Sequence, residues 1–363
     1  MDIVVMVSQV LLYVCFSVLL GSFLLLLVPS NNRPEVIIRK RMLFISAITL
    51  PIFAFIPVLD IIVLIAPRLG LFESIKIVLT TYSVGDAWNF TLFGSAILVF
   101  LIVVARSNEK RIFAFLGMIL TVGLILTIAW SSHAGSINPT TGIISHFVHL
   151  TAVSLWVGIL FVVGWCAINY NNWIEFLSWF SQVAFGCLVA TGLSGLLLTD
   201  VLVEGYTDAW MVSYGQGLLI KHLFLLPLVF YAFINGFIVK YKLSNDATFN
   251  PIPWVRVESL ILFVIFMITA VFSQQSPPHG NYLTSDVVSP IFRLFQNGII
   301  DSSSTIGLDI NLNTVLLLIL SILFTGLMVL SFYKKASLIV SFLFSCLFVM
   351  SIYSMLMTAV VVR

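Results

Sequence analysis

Residues 143–168 read IISHFVHLTAVSLWVGILFVVGWCAI. Twenty-six residues pass without an Asp, Glu, Lys or Arg, and a membrane span needs only about 20 mainly apolar residues. The stretch is read as a transmembrane helix with two histidines near one end. Nine further runs meet the same test: Ile3–Val28, Met42–Ala66, Ala87–Ala105, Ile112–Ser131, Phe176–Thr199, Val212–Val239, Trp254–Ser273, Leu312–Tyr333 and Ala336–Val362. The expectation is an all-α, polytopic transmembrane helical bundle of about ten spans. It is divided into an N-terminal four-helix region (1–131), a four-helix core (132–280), and an outer loop with two C-terminal helices (281–363).

Composition agrees. Hydrophobic residues make up 60% of the 363, and only 9% are charged, against about a quarter in soluble domains. Mean hydropathy is +1.14. The bilayer is therefore the solvent to reason with. A net charge of +2, with Lys and Arg dispersed in short loops, excludes a nucleic-acid partner. The four cysteines stand singly in apolar runs with no CxxC spacing, so neither disulfides nor a thiolate metal trap is expected. The first run has no basic segment before it and is read as an ordinary helix rather than a cleaved signal.

The odd-numbered loops carry 12 of the 17 Lys and Arg, among them Arg33, Arg39, Lys40, Arg41, Arg106, Lys110 and Arg111. Basic loops stay cytoplasmic, so both termini are expected on the non-cytoplasmic side. The even loops support this, the sixth with Asp200, Glu204 and Asp208 and the eighth with Asp286, Asp301 and Asp309. The fifth loop, Asn169–Glu175, contains no basic residue and is placed inside by parity alone. Two even loops contain segments that suit short interfacial helices or packed loops, Leu71–Leu79 and Pro290–Phe295.

In this topology all five histidines fall in the outer half. His146 and His149 are three apart, so a helix puts both imidazoles on one face. His133, at the end of the fourth span, is joined to them by a short Gly- and Pro-containing loop. Three imidazoles at one rim suit copper or zinc; single interfacial histidines also commonly bond to loop backbone or headgroups. Further outer-half candidates are His279, Met211, Met355, Met357, Asp60 and Asp86. Thioethers favour Cu(I), although Met is also an ordinary packing residue. A carboxylate such as Asp60 within a span is a functional candidate because its burial is costly. Lys221 lies beside His222 in the seventh span and must snorkel, pair or face water.

The run His146-Phe147-Val148-His149-Leu150-Thr151-Ala152 into Leu155-Trp156-Val157-Gly158 resembles the opening of the copper-resistance D (CopD) membrane domain. Thr191-Gly192-Leu193-Ser194-Gly195, Tyr214 to Lys221 with Asn235, and Arg256-Val257-Glu258 leading to Ser276-Pro277-Pro278 resemble its later helices. The remaining spans are similar to the longer, YcnJ-like members, without their extracytoplasmic CopC-type copper-binding domain.

The resemblance implies a transporter and not an enzyme. Copper would be captured by outer-face histidines and taken up across the bacterial cytoplasmic membrane, passively or coupled to a gradient, since no Walker A motif is present. Capture from outside would then rely on the membrane domain itself or on a separate extracytoplasmic copper-binding protein. On this reading His133, His146 and His149 hold the ion, with His279, Asp60, Met355 or Met357 completing the site. Lys221, His222 and Trp156 then stand along the path or gate it. Two other readings stay open. One is a membrane oxidoreductase binding haem b between histidines of different helices, such as His149 and His222. The other is a copper-binding sensor or docking protein that does not transport.

Overall fold

The computed structural model describes residues 2–105, 110–246, 249–279, 283, 287–296, 300–301 and 303–363. Arg106 and Asp286, used above to orient the loops, lie outside them. All ten expected spans are present as helices long and apolar enough to cross a membrane. The chain is an all-α polytopic protein with two compact units, Met1–Val201 with Lys240–Ile252, and Leu202–Val239 with Pro253–Arg363.

In the first unit α1 (Asp2–Leu27) packs against α2 (Lys40–Leu69), α5 (Lys110–Trp130) and α7 (Thr141–Cys166), while α4 (Ser83–Val104) packs on α2 and α5. Lipid is as apolar as leucine, so close van der Waals approach holds such helices together. The α1–α7 seam depends on it. A Cβ on Gly21 would collide with the backbone of Gly158, and one on Gly158 with the carbonyl of Ser17. Across α4 and α5, the hydroxyls of Thr91 and Thr127 meet at 2.7 Å.

Gly70, at φ +80°, turns α2 into α3 (Leu71–Thr81), a conformation that costs glycine nothing. This is the amphipathic segment anticipated between the second and third spans. Its Val78 is buried against Val58 and Ile62 of α2, while Leu71 and Phe72 are exposed. The fourth span ends at Trp130, so His133 does not finish it as expected but opens a separate short helix, α6 (His133–Ile137). Ser132 caps that helix, its hydroxyl accepting from the Gly135 N–H at 3.1 Å, which stops α5 from continuing through His133.

The fifth loop is tied to the first. Val36 and Ala167 form an antiparallel bridge. The Ile37 N–H donates to the Cys166 carbonyl and the Ile168 N–H to that of Glu35, each at 2.9 Å. From α8 (Trp173–Leu202), the Trp179 indole donates to the Asn32 carbonyl at 2.9 Å. The loop without basic residues therefore shares a side with the loop richest in them.

In the second unit the seventh span is α9 (Ser213–Phe233), followed by a π-helical turn, Ile234–Ile238; its continuation past Val239, α10 (Val239–Asn245), belongs from Lys240 on to the first unit. Helix α9 lies beside α11 (Ile252–Phe272): Tyr214 packs edge-on to Phe272, with centroids 5.0 Å apart. The outer loop contains α12 (Pro290–Arg293) and leads through β1 (Ile306–Leu308) to α13 (Leu312–Tyr333) and α14 (Leu338–Ala359).

The tenth span was expected to stay helical to Val362. It ends at Ala359, and Val360–Val362 form β2, antiparallel to β1. Three consecutive valines are stiff at χ1 and suit a strand, and here β1 supplies the ladder. The Gln296 side chain donates to the Val360 carbonyl at 2.8 Å, and Asp208 accepts from the Ile306 N–H at 2.7 Å. These bonds gather the sixth loop, the eighth loop and the chain end at one end of the unit.

Candidate functional site

His149 of the first unit is oriented by α8. Half-buried on α7, its Nδ1 lies 3.2 Å from the Thr191 carbonyl oxygen and 3.2 Å from the Ser194 hydroxyl, both on α8. The Ser194 hydroxyl itself donates to the Ala190 carbonyl at 2.6 Å. A carbonyl only accepts, so Nδ1 carries the hydrogen and the ring lone pair sits on Nε2. A metal-binding imidazole is commonly oriented in this way, through a second bond that fixes its tautomer. Gly195 faces the ring, and a Cβ there would lie in van der Waals contact with it, 3.4 Å from His149 Cε1.

His146 lies one turn earlier on α7 and is also half-buried, while His133 is exposed at the head of α6. Asp60 is half-buried on α2, one turn beyond Pro57. Among the described residues no three His, Cys, Asp or Glu side chains come together as metal ligands. The histidines are thus strung along α6 and the start of α7 rather than gathered around a point. Trp156, two turns beyond His149, is buried, and its indole N–H has no hydrogen-bond partner among the described residues.

The second unit holds a separate polar constellation. The Tyr206 hydroxyl meets His222 Nδ1 at 2.7 Å, and burial pushes that hydroxyl's pKa up from the ordinary tyrosine value. Lys221 Nζ lies 5.7 Å from the centre of the Phe272 ring, a cation–π contact. Among the described residues no carboxylate is within ion-pair distance of it. His279 instead pairs with Glu204, Nδ1 to Oε1 at 3.0 Å, and Glu204 also donates its N–H to the Pro278 carbonyl at 2.9 Å.

Met357 is fully buried, and its sulfur accepts from Gln216 Nε2 at 3.5 Å. Gln216 also donates to the Trp210 carbonyl at 2.5 Å and accepts from the Tyr353 hydroxyl. Met355, two residues before Met357, is half-buried. Sequence reasoning missed Tyr206, Gln216 and Tyr353 as polar partners. A glutamine inside an apolar span was the available signal for Gln216, because a buried amide needs partners; Tyr206 and Tyr353 carried none.

Comparison with known proteins bears on both units. Residues 1–143 match the family model of the copper resistance protein D-like N-terminal domain, and residues 174–272 match that of copper resistance protein D. Together the two matches cover about two thirds of the chain, which belongs to the copper resistance protein D family. It is a copper-related membrane protein.

The chain is 32% identical over 111 residues to the copper transport protein CutJ of Bacillus subtilis (strain 168), a match covering 29% of this chain and 20% of that protein. It is 25% identical over 188 residues to the inner membrane protein YebZ of Escherichia coli (strain K12), covering 48% and 64% respectively. Each match thus spans less than two thirds of the relative's length. No solved structure matches. The segment from His146 to Gly158 falls between the two family matches.

Proposed function

We propose that the protein carries copper inward across the bacterial cytoplasmic membrane, without a catalytic step of its own. Copper is the cargo, taken at the outer face by His149 and His146, with His133 close by in the chain to receive it first. His279, Asp60, Met355 and Met357 are the candidates for completing coordination as the ion moves. Trp156, Lys221 and His222 are assigned to the path. A separate extracytoplasmic copper-binding protein is the proposed donor.

The observation that carries this reading is the bond between His149 Nδ1 and the Thr191 carbonyl, which puts the lone pair on the nitrogen that can bind a metal. The basic odd-numbered loops support the outer position of the histidines, and the inward direction rests on the resemblance to copper-uptake proteins described above. Support also comes from the copper transport function named for the Bacillus relative.

The test is copper content and visible absorption of detergent-purified protein, followed by copper uptake into vesicles. Wild type should retain copper and transport it, and a His146→Ala/His149→Ala double variant should do neither. Equal copper in both would remove these residues from the site. A Soret band without copper would move the protein to haem chemistry.

A further inference from the structure

Among the described residues Glu258 is the only Asp, Glu, Lys, Arg or His that is buried; it is 2% exposed. It lies on α11, six residues from the helix start, or about 9 Å along the axis. Its Oε2 accepts from Asn235 Nδ2 at 2.7 Å, and the same amide nitrogen donates to the Trp254 carbonyl at 3.2 Å. Both acceptors require the nitrogen on that side, so the amide orientation is fixed. Asn235 is 4% exposed, and its Oδ1 has no hydrogen-bond partner among the described residues.

Asn235 sits in the π-turn Ile234–Ile238. Such turns are rare and recur at functional sites, and an ionisable group inside a membrane helix is a functional candidate by default. The other ionisable side chains near this end of the unit can be named. Arg256 is two residues before Glu258, about 200° around the helix. Tyr231, one turn before Asn235, donates its hydroxyl to the Ser341 carbonyl at 3.2 Å. Tyr333, Lys334 and Lys335 follow Phe332, whose ring packs on Trp254 with centroids 4.7 Å apart. Neither α13 nor α14 contains an Asp, Glu, Lys, Arg or His. Lys221 is fourteen residues before Asn235, about 21 Å away along a helix.

We propose that Glu258, held by Asn235, is a proton-binding site that couples copper movement to the proton gradient, an inference that rests on the transport reading above. The step is the reversible addition of one proton to the carboxylate, giving the neutral acid. A carboxylate is the stronger acceptor for the Asn235 amide, so loading the proton weakens the link between α11 and the π-turn. The neutral acid also gains an O–H donor, the kind of group Asn235 Oδ1 lacks.

Glu258→Gln tests this, because the amide keeps an acceptor for Asn235 and cannot titrate. In proteoliposomes, wild-type copper uptake should change several-fold when the imposed pH gradient is reversed. The variant should transport copper with the same rate under either gradient. A response in the variant equal to wild type, or none in a transporting wild type, overturns the proposal.

If neither protein moves copper, the transport reading fails, and infrared difference spectra between acidic and alkaline buffer then decide whether Glu258 binds a proton. A protonated-carboxyl band present in wild type and missing in Glu258→Gln is expected, and its absence from wild type overturns the site. Should Glu258→Gln not fold, Asn235→Ala gives the second readout: the same band should titrate at a shifted pH, and an unshifted titration counts against the pairing.

Discussion

Gly21 on α1 and Gly158 on α7 meet backbone to backbone, with no room for a side chain on either. Overpacking of this kind costs about 1–3 kcal/mol. Gly158→Ala should lower the melting temperature in detergent, and Gly158→Leu should prevent recovery of folded protein. Gly123 has no atom near its missing Cβ, so Gly123→Ala should melt no lower than wild type. Fluorescence-detected size exclusion after heating compares the three.

Gly195 lies against His149, the residue proposed to bind copper. A Cβ there comes to 3.4 Å from His149 Cε1, and a branched side chain has to move the ring. Losing the orientation of a metal-binding histidine typically costs 10–100-fold in affinity. Gly195→Val should therefore weaken copper retention by about tenfold or more, while Gly192→Val, at a position with nothing within reach, should not. Competition against a copper chelator reads both.

Tyr206 should give a signature at alkaline pH. Burial raises its pKa above the ordinary 10.0, so the folded state holds the phenol proton more tightly than the unfolded chain does. The stabilisation from that proton is complete below pH 10 and is lost as pH rises through the raised value. Tyr206→Phe should melt lower than wild type at neutral pH, by about 1 kcal/mol for the bond to His222. The gap should narrow above pH 10, because only the wild type carries this ionising group; a gap that widens there refutes the assignment.

The Glu204–His279 pair calls for a smaller effect. Both side chains are about half exposed, and pairs in that setting contribute at most about 1 kcal/mol. His279→Ala should shift thermal stability by less than this, and the shift should shrink in high salt. If His279 also completes copper coordination, the same variant loses copper without losing stability, which separates the two roles.

The ten spans were legible because period and length suffice where every residue must be apolar, as residues 143–168 illustrate. The valines at 360–362 were apolar enough to extend a helix, and only their pairing with β1, about fifty residues earlier in the chain, makes them a strand. His133 was assigned to the fourth span because Ser132 could not be seen to cap a new helix. The orientation of His149 depends on a backbone carbonyl of another helix, and no side-chain pattern encodes that. Glu258 was visible as a charge near the start of a span. The Asn235 amide that donates to its carboxylate comes from another helix, and only the fold brings the two together.

The bridge between Val36 and Ala167 has a consequence for biogenesis. The loop after α1 leaves the ribosome long before its partner, so its edge groups stay hydrated while α2 to α5 are inserted. The first four spans can enter the bilayer in order, but their connecting loop reaches its final conformation only when the end of α7 emerges. Nascent chains halted before residue 166 should therefore show this loop open to protease, and chains released beyond α8 should show it shielded.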